Sequence, residues 1–142
     1  MTTQTQTTRA IWAQFIPAAQ LRTLRSLIRG EEGAHYRERL TELADIFRTM
    51  PQTYEQDGRG DRAIVYLHYF YGGMDWYITE KDANQDGEGQ QQAFGLVNLG
   101  YGAELGYINL AELCAQPRIE LDLYWTPRPL ADVRSNAWPN PM

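Results

Sequence analysis

The stretch 63–80, AIVYLHYFYGGMDWYITE, most constrains what this chain can fold into. Two runs rich in β-branched and aromatic residues flank Gly72-Gly73, and runs of that kind around a glycine turn read as a β-hairpin. In 63–71, Val65, Leu67 and Tyr69 alternate with Ile64, Tyr66, His68 and Phe70. Both sets are substantially apolar, which predicts a central strand covered on both faces. The second arm is expected over 76–80, joined by a slightly long loop. A third strand is expected over 93–99, after the polar loop 81–92. Gly100 and Gly102 then flank Tyr101 in a turn, and 105–108 reads as a short extended run. Asn109 with Glu112 three residues on has capping-box spacing, which predicts a helix over 110–115 stopped at Pro117. In 119–125, Ile119, Leu121, Leu123 and Trp125 alternate with Glu120, Asp122 and Tyr124, the pattern of a one-sided outer strand.

Helical periodicity dominates the first third of the chain. Residues 1–10 begin with a Thr/Gln-rich, almost uncharged run and are expected to be a disordered lead-in. Ile11, Trp12, Phe15 and Ile16 form an apolar knot before Pro17. Leu21, Leu24, Leu27 and Ile28 then share one face of a helix over 18–29, with Gly30 as its stop. Tyr36, Leu40, Leu43, Ala44 and Phe47 mark a second helix over 34–50, ended by Pro51. The loop 54–62 is polar and glycine-rich. The tail 127–142 is proline-rich and expected to be loose, apart from a possible helical turn at 130–134. These elements predict an α+β fold over 11–126. Two N-terminal helices and one short later helix pack on a mostly antiparallel sheet of four to five strands, a size usual for a sheet in so small a domain.

A chain of 142 residues suits one domain and can bury a core without metal or disulfide support. Cys114 is the single cysteine, so no internal disulfide can form, and a reducing cytoplasm is expected. Within LAELCAQ it reads as a small buried apolar residue. The N-terminal residues lack the apolar core of a signal peptide, and no run is long enough to span a bilayer. A net charge of −5 argues against a general nucleic-acid binder and suits a surface that meets a basic partner. One local exception is the stripe Arg22, Arg25 and Arg29, a candidate weak nucleic-acid face that also reads as a solvated helix face.

Four constellations could carry chemistry. Asp82, Asn84, Asp86 and Gly87 match the first half of a calcium loop. Ala93, however, stands where the bidentate Glu is needed, so an ordinary hairpin loop is expected, with these residues as weak metal candidates at most. Glu80 and Glu104 lie near strand ends and could converge beside Trp76, Tyr77 and Tyr107, as paired carboxylates do in acid/base or metal-assisted hydrolysis. The plainer reading is that both are turn-stabilising groups. His68, alone in an aromatic strand, reads as a half-buried structural histidine and joins the candidate cluster. The aromatics of 66–77 could stack bases, but Lys81 is the only cation between Arg62 and Arg118, which favours core and interface use. No P-loop, Rossmann glycine pattern or nucleophile elbow is present, and no cofactor is expected.

WYITE at 76–80, AFGLVNLG at 93–100 and ELGYINLAEL at 104–113 together resemble the signature of a small bacterial family catalogued as domain of unknown function 2958. Ile16-Pro17 and the leucine-rich helix after it match the start of its pattern. Relative to the short form of that family, 31–62 looks like an insertion. The resemblance implies a setting, cargo of plasmids, phages and other mobile elements, rather than a reaction. The leading expectation is a non-enzymatic cytoplasmic protein-interaction module with a protein partner, its more specific form being an inhibitor or accessory of a nucleic-acid-handling or defence system. The alternatives are a divalent-metal-assisted hydrolase or nucleic-acid-processing enzyme using Glu80 and Glu104 with Asp82, and weak nucleic-acid binding through the arginine stripe.

Overall fold

A left-handed Gly72 (φ 57°) closes the central hairpin, joining Tyr71 directly to Met74 across the pair. The second arm therefore starts at Met74, and the loop is tighter than the sequence suggests. A computed structural model describes residues 7–84 and 89–137 of the chain. In chain order its elements are α1 (Thr8–Phe15), α2 (Ala18–Ile28), α3 (Gly33–Thr49), β1 (Ile64–Val65), β2 (Leu67–Tyr71), β3 (Met74–Glu80), β4 (Ala93–Asn98), β5 (Ala103–Ile108), α4 (Leu110–Ala115), β6 (Glu120–Leu121), β7 (Arg128–Pro129) and α5 (Leu130–Ala137). The main sheet is antiparallel and five-stranded, in the order β5-β4-β3-β2-β6, and β1 pairs separately with β7. This is the α+β class expected, with helices packed on the sheet.

Alternation sorts the strands onto two faces. Leu67, Tyr69, Trp76 and Ile78 meet the helices, where Phe15 and Phe47 stack at 4.6 Å beside Leu40 and Leu110. Cys114 lies in this layer, and burial pushes its thiol up to about 12, so it is an apolar filler as expected. On the opposite face Tyr77 and Leu96 pack with Ala63, Val65, Leu130 and Val133. Trp125 is partly buried there, and its Nε1–H donates to the Val65 carbonyl at 3.0 Å.

Four expectations need correction. A third N-terminal helix, α1, starts inside the expected lead-in. Thr7 caps it through the Ala10 N–H, and Ile11 and Phe15, one turn apart, are buried; residues 1–6 lie outside the described residues. The strand expected over 63–71 is broken at Tyr66, so its start belongs to the small sheet and its end to the large one. The strand expected over 119–125 shrinks to Glu120–Leu121. Beyond it Asp122 accepts the Tyr124 N–H in a local turn, as short carboxylate side chains do. The tail is not loose through Ala137: Arg128–Pro129 pairs with β1, and Leu130 and Val133 of α5 are buried on the second face. Residues 138–142 lie outside the described residues.

Asn109 caps α4 as its spacing predicts, accepting the Glu112 N–H at 3.1 Å. A cap at the end of α3 comes from outside the helix. The Lys81 ammonium donates to the carbonyls of Phe47 at 2.7 Å and Arg48 at 2.8 Å, satisfying two acceptors at the negative end of the helix dipole. Burial there lowers the Lys81 pKa.

Candidate functional site

The site begins with a slip in strand register. From Asp75 to Ile78, β3 pairs residue for residue with β4, but Glu80 then pairs with Phe94, leaving Thr79 as the extra residue of a bulge. Side chains alternate along a strand, so one added residue changes the face on which the next appears. Glu80 thereby joins Phe94 and Tyr107, its neighbours across the sheet, on the face away from the helices. Gly95 sits beside this bulge, and a Cβ built there would lie 1.9 Å from the Tyr77 carbonyl oxygen. Only glycine allows β3 and β4 to approach so closely.

The loop 52–62 folds over the bulge and is stapled to it. Gln56 is buried, and its amide nitrogen donates to the carbonyls of Ile64 and Thr79 while its oxygen accepts the Ile64 N–H. Thr53 donates to the Lys81 and Gln92 carbonyls. Tyr54 has a left-handed backbone (φ 80°), rare for a side chain of its size, and its N–H donates to Glu80 Oε1 at 2.6 Å. The Thr79 hydroxyl donates to Glu80 Oε2 at 3.2 Å.

Between this loop and the sheet lies a cavity of about 550 Å³. Glu80, only 4% exposed, contributes to its lining with Asp57, and no Lys or Arg does so among the described residues. Tyr54, Phe94 and Tyr107 supply aromatic walls. Tyr107 meets Phe94 at 79° and Tyr54 at 80°, and the two phenols hydrogen-bond at 2.6 Å. That bond is the main cause that raises the Tyr107 pKa, with the negative charges of Asp57 and Glu80 adding to it. The cavity is of ligand-binding size, mostly apolar, with a few convergent polar groups.

The candidate cluster is only partly brought together. Glu80 and Tyr107 share the cavity. Glu104 pairs with Val97, which pairs with Trp76, so Glu104 and Trp76 belong to the helix-side face. The two carboxylates therefore do not converge: the bulge puts Glu80 on the other face, and Glu80 pairs at Phe94 whereas Glu104 pairs three residues along, at Val97. His68 and Tyr77 share Glu80's face but form a separate cluster. Their rings stack at 4.6 Å, and His68 has Asp75 at 2.8 Å from Nε2 and Asp122 at 3.3 Å from Nδ1. Burial, then Asp75 and Asp122, push the Tyr77 phenol up to about 12 against the opposing charge of Arg128. This arrangement braces the segment beyond β6 against the sheet.

The remaining candidates stand apart. Arg22, Arg25 and Arg29 are exposed along and just beyond α2. Asp82 accepts backbone N–H groups of Asn84, Gln91 and Gln92, and Asn84 accepts that of Gly89, so both side chains brace their own loop. Asp86 lies outside the described residues. Among the described residues, no group of three or more His, Cys, Asp or Glu side chains is placed to share a metal ion. Sequence reasoning missed Tyr54, Gln56 and Phe94; an isolated aromatic in the polar loop 54–62 was the available signal.

The sheet's two outer strands frame the site differently. On β6, the Gln20 side chain donates to the Leu121 carbonyl at 2.9 Å and accepts its N–H at 2.8 Å. Just beyond, Arg39 donates to the carbonyls of Leu123 and Trp125. At the other edge, β5 pairs with β4 from Ala103 to Ile108 without a bulge, and among the described residues no strand lies on its outer side. Leu105 and Tyr107 are 46% and 56% exposed there, and Tyr101, in the preceding turn, is 92% exposed. Among the described residues no helix is long and apolar enough to cross a membrane.

The family model described as Protein of unknown function (DUF2958) matches residues 38–131, and the chain belongs to that family. The matched span starts within α3 and includes the stapling loop, the bulge, the cavity walls and β5. No curated protein and no solved structure matches the chain.

Proposed function

We propose that this member of the family is a non-enzymatic protein-interaction module that takes an extended segment of a partner protein onto β5. The observation that supports this most is the unguarded edge. Sheet edges are ordinarily blunted by short strands, lysines, prolines or bulges, because their free N–H and C=O groups recruit other strands. β5 is six residues long and paired without a bulge, and it carries no Lys or Pro. Strand addition at such an edge draws affinity from main-chain hydrogen bonds and specificity from side-chain pockets, and the Glu80 cavity lies directly beside it. Separation of Glu80 from Glu104 weighs against the hydrolase reading. In the mobile-element setting that the resemblance implies, such a module would act as an inhibitor or accessory of a nucleic-acid-handling or defence system. A cytoplasmic location suits its lone buried thiol.

A displayed library of random short peptides, selected against the folded protein, tests the reading. Enriched peptides are expected to slow amide hydrogen exchange in β5 and to lose binding to the Leu105→Lys variant. No enrichment, or protection confined to other elements, would overturn it.

A further inference from the structure

We propose that the Glu80 cavity is a cage for an organic cation, filled by a lysine or arginine side chain of the strand that pairs with β5. This rests on the docking reading above and adds the chemistry of the residue recognised. Glu80 is the central observation. A carboxylate has about four lone-pair positions, and the Tyr54 N–H and Thr79 hydroxyl use two of them. No ion pair engages it among the described residues. Burying a charge is expensive unless it is paired, so a site that keeps one at a cavity wall is suited to a ligand of opposite sign.

The walls fit the same class. Tyr54, Phe94 and Tyr107 stand at steep angles, and ring faces attract ammonium and guanidinium groups through their quadrupoles. Asp57 adds a second negative group, whereas an anionic ligand would find no compensating charge in the lining. A neutral apolar side chain would leave the free acceptor sites of Glu80 unmatched and cut off from water. Tyr107 belongs to both surfaces, being a β5 residue and a cavity wall, so a strand laid along β5 has a side chain beside the cage. The strained backbone of Tyr54 is explained by the same geometry, since it turns the N–H onto Glu80 while the ring forms a wall.

The test uses short extended peptides identical except for a central lysine, arginine, norleucine or glutamate, titrated into isotope-labelled protein and followed by amide shifts. Lysine and arginine peptides are expected to bind about tenfold more tightly than norleucine, with shifts at Tyr54, Phe94 and Tyr107. Glu80→Gln should abolish that preference, so that the lysine, arginine and norleucine peptides bind alike. Tyr107→Leu, at a position 56% exposed, should weaken it as well. Equal or tighter binding of the norleucine peptide would overturn the cation cage and leave strand docking intact. Cage shifts with n-butylammonium but none with the lysine peptide would overturn delivery by a strand. Silence from every probe would overturn the cage itself.

Discussion

The two edges of the main sheet are built from the same backbone chemistry and are treated in opposite ways. At β6, side chains from the helices occupy the groups that a further strand would use: Gln20 takes both the N–H and C=O of Leu121, and Arg39 takes carbonyls of the run that follows. At β5, a regular six-residue strand faces outward beside an acidic, aromatic cavity. The difference teaches that edge protection here depends on which helices the fold brings beside a strand, not on its sequence neighbours. β6 lies within reach of side chains from α2 and α3, whereas β5 pairs with β4 on its inner side and, among the described residues, with no strand on its outer side.

The largest expected effect tests how β5 is anchored. Gly95→Ala drives a Cβ into the Tyr77 carbonyl, which no rotamer change can relieve, and should cost about 3 kcal/mol in denaturant unfolding. A loss too small to resolve would mean that β4 and β5 can part from β3 without disturbing the rest of the sheet. Next is Gln20→Leu, which leaves the Leu121 N–H and C=O without protein partners and should destabilise by about 2 kcal/mol, with faster hydrogen exchange at the Leu121 amide. Unchanged exchange would show that Gln20 does not seal its edge. Smallest in stability is Leu105→Lys, expected to stay within about 0.5 kcal/mol of the parent because the side chain is already half in solvent. A substantial loss would show that β5 is packed rather than open, and the contrast between the edges would fail.

Much of this architecture was legible. Gly72-Gly73, the alternation around it and the Asn109–Glu112 spacing all report local backbone requirements, and the structure honours each. The failures share a cause, which is that a side-chain pattern cannot reveal where a backbone pairs. Seven alternating residues from Ile119 read as a strand, but Asp122 makes its own turn and Trp125 carries its ring to the second face. The Thr79-Glu80 dipeptide gives no sign of a bulge, so Glu80 and Glu104 looked like partners although the sheet separates them. The start of α1 looked like polar filler because Ile11 and Phe15 become core only once α3 is beside them. Tyr54 stood out only as an isolated aromatic, because its place in the site depends on Glu80 and Tyr107, far along the chain.

If β5 takes a strand as proposed, the Gln20 clasp also bears on stoichiometry. Strand addition turns into fibre growth when each molecule offers two complementary edges, since every copy can then accept one neighbour and donate to the next. With β6 occupied by an amide that imitates a missing strand, β5 is the open edge of the main sheet among the described residues. On the strand-docking proposal, association through the main sheet would therefore end after a single step, as a one-to-one complex with a partner strand or a symmetric pair of this chain, rather than as a filament.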